Sequence, residues 1–320
     1  MGTMIQRYPL TEADFRGNHF TDHPIPLKGN NDLLCLTRPD IITEIHLQYF
    51  EAGADLVETN TFNAQRISME DYQLSACIAE VNIAAVQCAQ KARALFYKKH
   101  GSDQKKYIAG AVGPTSKTAS LSPKVEDPAY RAITFDDLKD AYFEQIEALV
   151  KAGVDAILIE TIFDTLNAKA AFYAALEVLE QNNLQPITAE NPDGDIALMA
   201  SGTITDAAGR TLSGQTAAAF AISLGHLPLF SIGFNCALGA EQLLPHIKEL
   251  KKYSSAFISA YPNAGLPNAM GQYDETPNTM VEKVTPYLSE RNVQILGGCC
   301  GTTPAHIQAI AGLKHQIVAS

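Results

Sequence analysis

From residue 54 onward, short β-branched apolar runs alternate with longer stretches in which apolar positions recur every three or four residues. Residues 54–62 (ADLVETNTF) predict a strand, followed by a helical pattern to about Lys98. Residues 107–115 (YIAGAVGPT) predict the next strand and 135–152 a helix. The run 154–161 (VDAILIET) is apolar enough for a strand buried on both faces. A helix over 164–179 follows, with Asp164 placed to cap it. Strands are predicted again at 196–204, 229–238, 256–264 and 293–300, and helices at about 214–224, 240–252, 277–290 and 304–313.

This repetition implies parallel strands joined by right-handed crossovers, either as an open doubly wound sheet or as a closed barrel. The pattern contains seven strands, and a barrel of this class closes with eight. The absent one would come first, because Met1-Gly2-Thr3 resembles the turn after a strand. The expected fold is therefore an α/β (β/α)8 TIM-type barrel that starts just past its own first strand. Residues 6–40 are then the long first strand-to-helix loop. The polar stretch 181–195 (QNNLQPITAENPDGD) is expected on the bottom face, away from the chemistry.

Composition narrows the function classes. With 46% hydrophobic and 18% charged residues, the 320-residue chain builds a large core, and barrels of this size occur as single units. A net charge of -11 argues against a nucleic-acid partner. No apolar stretch is long enough to span a membrane, and the residues after Met1 lack the basic start and apolar run of a signal peptide. Six scattered cysteines do not form a disulfide framework, so a reducing cytoplasm is expected.

Candidate chemistry rests on three of those cysteines. Cys236 ends one predicted strand (LFSIGFNCALG), and Cys299 and Cys300 end another (VQILGGCCGTTP). The C-terminal ends of parallel barrel strands converge on one face, so the three sulfurs can meet. Clustered thiolates repel unless a cation is present, and Zn²⁺ suits sulfur ligands. Three protein ligands leave a fourth position open, as in a catalytic site. The flanking Gly297, Gly298 and Gly301 allow the tight turn this needs. A strained redox disulfide between Cys299 and Cys300 is the competing reading, while Cys35, Cys77 and Cys88 read as packing residues. No histidine is assigned to a metal, His306 reads as a helix residue, and Ser213 reads as a helix cap within 203–216, an active-site loop.

The runs NCALG, GGCCGTTP, ETNTF, GPT, IETIFDTLNAKAA, SGTITDAAGRTLSGQT and PNAGLPN resemble the homocysteine S-methyltransferase family along essentially the whole chain. More narrowly, MGTMIQ, ADFRG and LKGNNDLL are similar to the N-terminal module of cobalamin-dependent methionine synthases. The resemblance implies one homocysteine-binding barrel domain over residues 1–320, with one zinc on Cys236, Cys299 and Cys300. It implies that Glu160 pairs with the substrate ammonium. It also places Asn263 at the open zinc position or on the substrate, against the simpler reading of a turn-forming asparagine. Asn60 and Asn235 are candidates to orient substrate or ligands, or to make plain strand-end hydrogen bonds.

The implied reaction is attack by the zinc-activated thiolate of L-homocysteine on a methyl group. Methylcobalamin would arrive on another module or chain, since no folate or cobalamin module follows here. The alternatives are a stand-alone enzyme using S-methylmethionine or a betaine-like donor, and a non-catalytic zinc-binding barrel. The family's first strand ends in a DGAMGT turn, so its aspartate lies outside this sequence, as expected of a truncated or mis-started chain.

Overall fold

The computed structural model describes residues 1–206 and 208–314. Eight parallel strands form one curled sheet: β1 (Leu56–Glu58), β2 (Tyr107–Val112), β3 (Ala156–Ile162), β4 (Pro186–Ile187), β5 (Ile196–Gly202), β6 (Ser231–Gly239), β7 (Phe257–Asn263) and β8 (Ile295–Leu296). Pairing follows chain order, β1-β2-β3-β5-β6-β7-β8, with β4 only flanking the start of β5. Helices connect the successive strands, as in a TIM-type (β/α)8 barrel. Among the described residues β1 and β8 do not pair, so the wall has a seam where an additional first strand was expected. Met1-Gly2-Thr3 is not a turn after a strand: Gly2–Ile5 closes one helical turn, with the N–H groups of Met4 and Ile5 donating to the Met1 carbonyl.

Alternation along each strand sorts the side chains into two cores. Outward residues such as Val57, Ile108, Ile157, Leu198, Ile232, Phe234, Ile258 and Ala260 pack against the helices. Inward residues Ala109, Ala156, Leu158, Ala197 and Met199 fill the lower barrel. Continuing the same alternation towards the C-terminal ends puts polar groups on the inner face: Glu58, Glu160, Ser201, Asn235, Tyr261 and Asn263. The barrel is thus apolar below and polar above. Gly233 is required on β6, because a Cβ there would lie 1.8 Å from the Ser259 carbonyl oxygen.

Helix starts follow side-chain caps. Asp164 accepts from the Leu166 N–H, and Thr134 with Asp137 forms a capping box before Phe135–Ala152. Thr216, not Ser213, caps Ala217–Leu224; the Ser213 hydroxyl instead donates to the Phe163 carbonyl at 3.0 Å. The helical pattern after β1 is interrupted. Arg66–Glu70 and Ile78–His100 are separate helices, and between them Gln73 takes a left-handed φ of +55°. No helix among the described residues is long and apolar enough to cross a membrane.

The expected loop over residues 6–40 is partly helical, with Glu12–Arg16, Leu34–Thr37 and the start of Pro39–Glu51 inside it. Arg16 organises the irregular part. Its guanidinium donates to the carbonyls of Phe20, Thr21, His23 and Ile25 and to Glu12, which itself accepts from the Leu27 and Lys28 N–H groups. These bonds satisfy backbone groups that have no ladder or helix to serve them.

Asp32 fastens this segment to the end of β1. It is buried and accepts the Asn63 N–H at 2.8 Å. Burial pushes its carboxyl up to about 7. An unfolded aspartate titrates near about 3.9, so between these values the folded state binds the extra proton and stability falls as pH rises. Asp32→Asn keeps an acceptor for Asn63 and removes that dependence. Urea unfolding from pH 4 to 8 should show the wild type losing a few kcal/mol relative to the variant (about 1.4 kcal/mol per pK unit); parallel curves would contradict this.

Candidate metal centre and substrate pocket

The structure brings Cys236, Cys299 and Cys300 together. Their sulfurs all lie within 4.8 Å of one another, and Cys236 Sγ is 3.5 Å from Cys300 Sγ. Tetrahedral zinc with about 2.3 Å bonds sets its sulfurs about 3.8 Å apart, so this donor set fits that ion. The cysteine pair is not at a strand end as expected: β8 stops at Leu296, and Cys299 and Cys300 occupy the turn beyond it. That turn is hung on β7. The Cys299 N–H donates to the Pro262 carbonyl, the Ala264 N–H to the Cys300 carbonyl, and the Cys300 N–H to Asn263 Oδ1 at 3.1 Å.

Cys236 reaches the cluster through a backbone distortion. Pairing of β6 with β7 shifts register between Asn235 and Gly239, where Cys236 and Ala237 take φ of +61° and +57°. Such left-handed residues cost about 1–3 kcal/mol each and cluster at functional sites. The thiols polarise one another strongly. Hydrogen bonding from Cys236 and Cys299 pulls the Cys300 thiol well down, while bonding to Cys236 and Cys300, with burial, pushes Cys299 well up. One sulfur holds a negative charge only while its neighbours keep their protons, which is the state a bound cation would change.

Asn235 ties this cluster to the opposite wall. Its Oδ1 accepts the Thr161 N–H at 3.0 Å and the Ser201 hydroxyl at 2.7 Å. Its Nδ2 donates to Thr161 Oγ1 at 2.8 Å and points at Cys299 Sγ at 3.8 Å. Thr161 is itself left-handed (φ +54°) in an irregularity of β3 between Ile159 and Ile162. One buried amide therefore links two distorted strand ends to a candidate ligand.

The other predicted residues are placed as follows. Glu160 is buried on the inner face of β3, with the Thr161 hydroxyl 3.4 Å from its carboxylate. Burial, then the nearby Glu58 carboxylate, raises its pKa well above the usual range. Asn263 Oδ1 is engaged by the Cys300 N–H, and its Nδ2 lies 3.5 Å from Tyr273 Oη. Asn60 donates to the Asn31 carbonyl at 2.7 Å and contacts Cys35 Sγ at 3.6 Å. His306 begins the last helix, where it receives the Thr303 N–H. Sequence reasoning missed Tyr273, whose phenol lies over the sulfurs: its pKa is pushed up to about 12 by burial and then by Cys300 and Cys236. It also missed Glu58 and Tyr261, although strand alternation alone places both on the inner face.

The profile of the homocysteine S-methyltransferase family matches residues 1–313. Among solved structures, the chain is similar to the homocysteine methyltransferase MmuM from Escherichia coli. To the metallated form the identity is 21% and the TM-score 0.72, covering 98% of this chain and 93% of that one. For the oxidized form the TM-score is 0.71 at the same identity and coverage, and for the apo form it is 0.66 at 19% identity, covering 98% and 92%.

The position of Asn235 generates a test. Asn235→Ala removes the tie between Thr161, Ser201 and Cys299, and losing such an outer partner costs about 10–100-fold in metal affinity. Competition with a chromophoric chelator should show that loss, with helical circular dichroism retained. Unchanged affinity would mean that the amide does not orient the cluster.

Proposed function

The chain belongs to the homocysteine S-methyltransferase family, and on that premise we propose that it methylates L-homocysteine to methionine as the homocysteine-activating module of a cobalamin-dependent system. The observation that carries this reading is the three-sulfur cluster beside the polar end of the barrel. Cys236, Cys299 and Cys300 are the residues that would hold zinc. Bound there, zinc would supply a cationic fourth position that lowers the pKa of a substrate thiol, near about 8.5 when free, into the neutral range. The chain's own residues orient the partners. Asn235 and the β7 turn with Asn263 hold the cysteines, Glu160 takes the substrate ammonium, and Asn60 braces the loop after β1 against Asn31.

Methylcobalamin on a separate module or chain is the proposed donor. The exposed rim supports a partner-borne donor. Val125, Leu212, Leu266 and Met270, on segments following β2, β5 and β7, expose large apolar side chains around the mouth. Monomer surfaces rarely gather such groups without a partner. We read residues 1–320 as one domain, acting in a reducing cytoplasm where its six free cysteines stay reduced. A second reading, a stand-alone enzyme using S-methylmethionine or a betaine-type donor, is favoured by similarity over 93% of the E. coli homocysteine methyltransferase.

Zinc-loaded protein should form methionine from L-homocysteine when given methylcobalamin, and Cys300→Ser should abolish that formation while remaining folded. Methionine formed only from S-methylmethionine or betaine would establish the second reading. No methionine with any of the three donors would overturn both.

A further inference from the structure

Beside the sulfur cluster the inner face carries a second polar group that the metal centre does not use. Leu56 packs with the inner core and Val57 with the outer one, so Glu58 faces inward from the end of β1. Ala156 and Leu158 face inward on β3, and Glu160 continues that row. On β7, Ile258 and Ala260 face outward, which turns Tyr261 inward against Gly297. Across the sheet Glu58 registers with Ala109 and Ala109 with Ala156, so Glu58 lies deeper than Glu160.

These groups lack partners inside the protein. Tyr261 is 8% exposed, and its hydroxyl has no hydrogen-bond partner. Glu160 has only the long contact from Thr161 next to it in sequence. No lysine, arginine or histidine among the described residues pairs with Glu58 or Glu160; the Met1 amino group acts on both without pairing. Burial raises both carboxyls, and the charge of Glu58 raises Glu160 further. Both carboxylates also act on Tyr261, whose pKa burial already pushes up, so the three groups share one space.

Two buried carboxylates and an unsatisfied phenol are costly unless a cation with hydrogen-bond donors meets them. A primary ammonium carries one positive charge and three N–H bonds, one for each group. A quaternary ammonium has no N–H and would leave the phenol unsatisfied. A carboxylate would be repelled. We propose that Glu58 and Tyr261 join Glu160 in a three-acceptor pocket for the substrate ammonium, and that this pocket selects amino thiols over simple thiols. The inference rests on the reading above that the substrate sulfur goes to the cysteine cluster and its ammonium to Glu160.

Titration calorimetry on zinc-loaded protein with L-homocysteine and with 4-mercaptobutyrate, which keeps thiol and carboxylate but lacks the amine, tests it. The wild type should prefer homocysteine. Glu58→Gln and Tyr261→Phe should each reduce that preference about tenfold, the scale of one hydrogen bond to a charged group, and leave 4-mercaptobutyrate binding and zinc content unchanged. Variants that weaken both thiols alike, or that keep the wild-type preference, would overturn the pocket. A separate titration of metal-free protein keeps this independent of the metal reading. L-2-aminobutyrate should outbind butyrate there, and equal binding would overturn the pocket. Failure of both thiols to bind zinc-loaded wild type, with that amine preference intact, would overturn the methyltransferase reading alone.

Discussion

Three sulfur atoms within 4.8 Å, held in a partly buried turn and two distorted strand ends, set the constraint on which the upper half of this barrel depends. Ionising all three without a cation would place like charges a few ångströms apart in a medium that screens them poorly. The thiols therefore share protons and hydrogen bonds among themselves, and an ion that accepts three thiolates relieves the conflict. The surrounding structure is arranged to keep the sulfurs close despite that repulsion. Residues 299–300 are hung from β7 by three hydrogen bonds, and Cys236 is turned inward by two left-handed residues.

The same constraint accounts for the division inside the barrel. Below, alanine, leucine and methionine side chains fill the space between strands. Above, the inner positions become glutamate, serine, asparagine and tyrosine, which cannot stay buried without partners. Asn235 is fully engaged and reads as support. Glu58, Glu160 and Tyr261 are not satisfied within the chain, which marks them as facing a ligand. Support and recognition are thus distinguished by hydrogen-bond satisfaction rather than by residue type.

Much of the fold was legible because a parallel barrel writes its strands as continuous apolar runs, and all seven expected strands are present within a few residues. Boundaries failed where polar ends mattered. Residues 293–300 read as one strand, yet the glycines at 297 and 298 end pairing at Leu296 and release the cysteines into a turn. The short β4 was hidden in a polar segment, and the first loop looked structureless because its order comes from one arginine bonded to carbonyls. Cys236, Cys299 and Cys300 were legible from spacing and strand topology together. Glu58 and Tyr261 were passed over because a single inward polar residue looks ordinary until its lack of partners is seen. Tyr273 lies in a loop with no periodicity, and only the folded chain sets it against the sulfurs.

The central claim is that the three cysteines form one metal-binding unit whose ligand is zinc. Elemental analysis with a free-thiol count before and after chelation tests it most directly. The account predicts one zinc per chain, with three thiols becoming reactive as the metal is removed. A chain that binds no zinc under reducing conditions, with all six thiols free, or with Cys299 and Cys300 joined to each other, would contradict it.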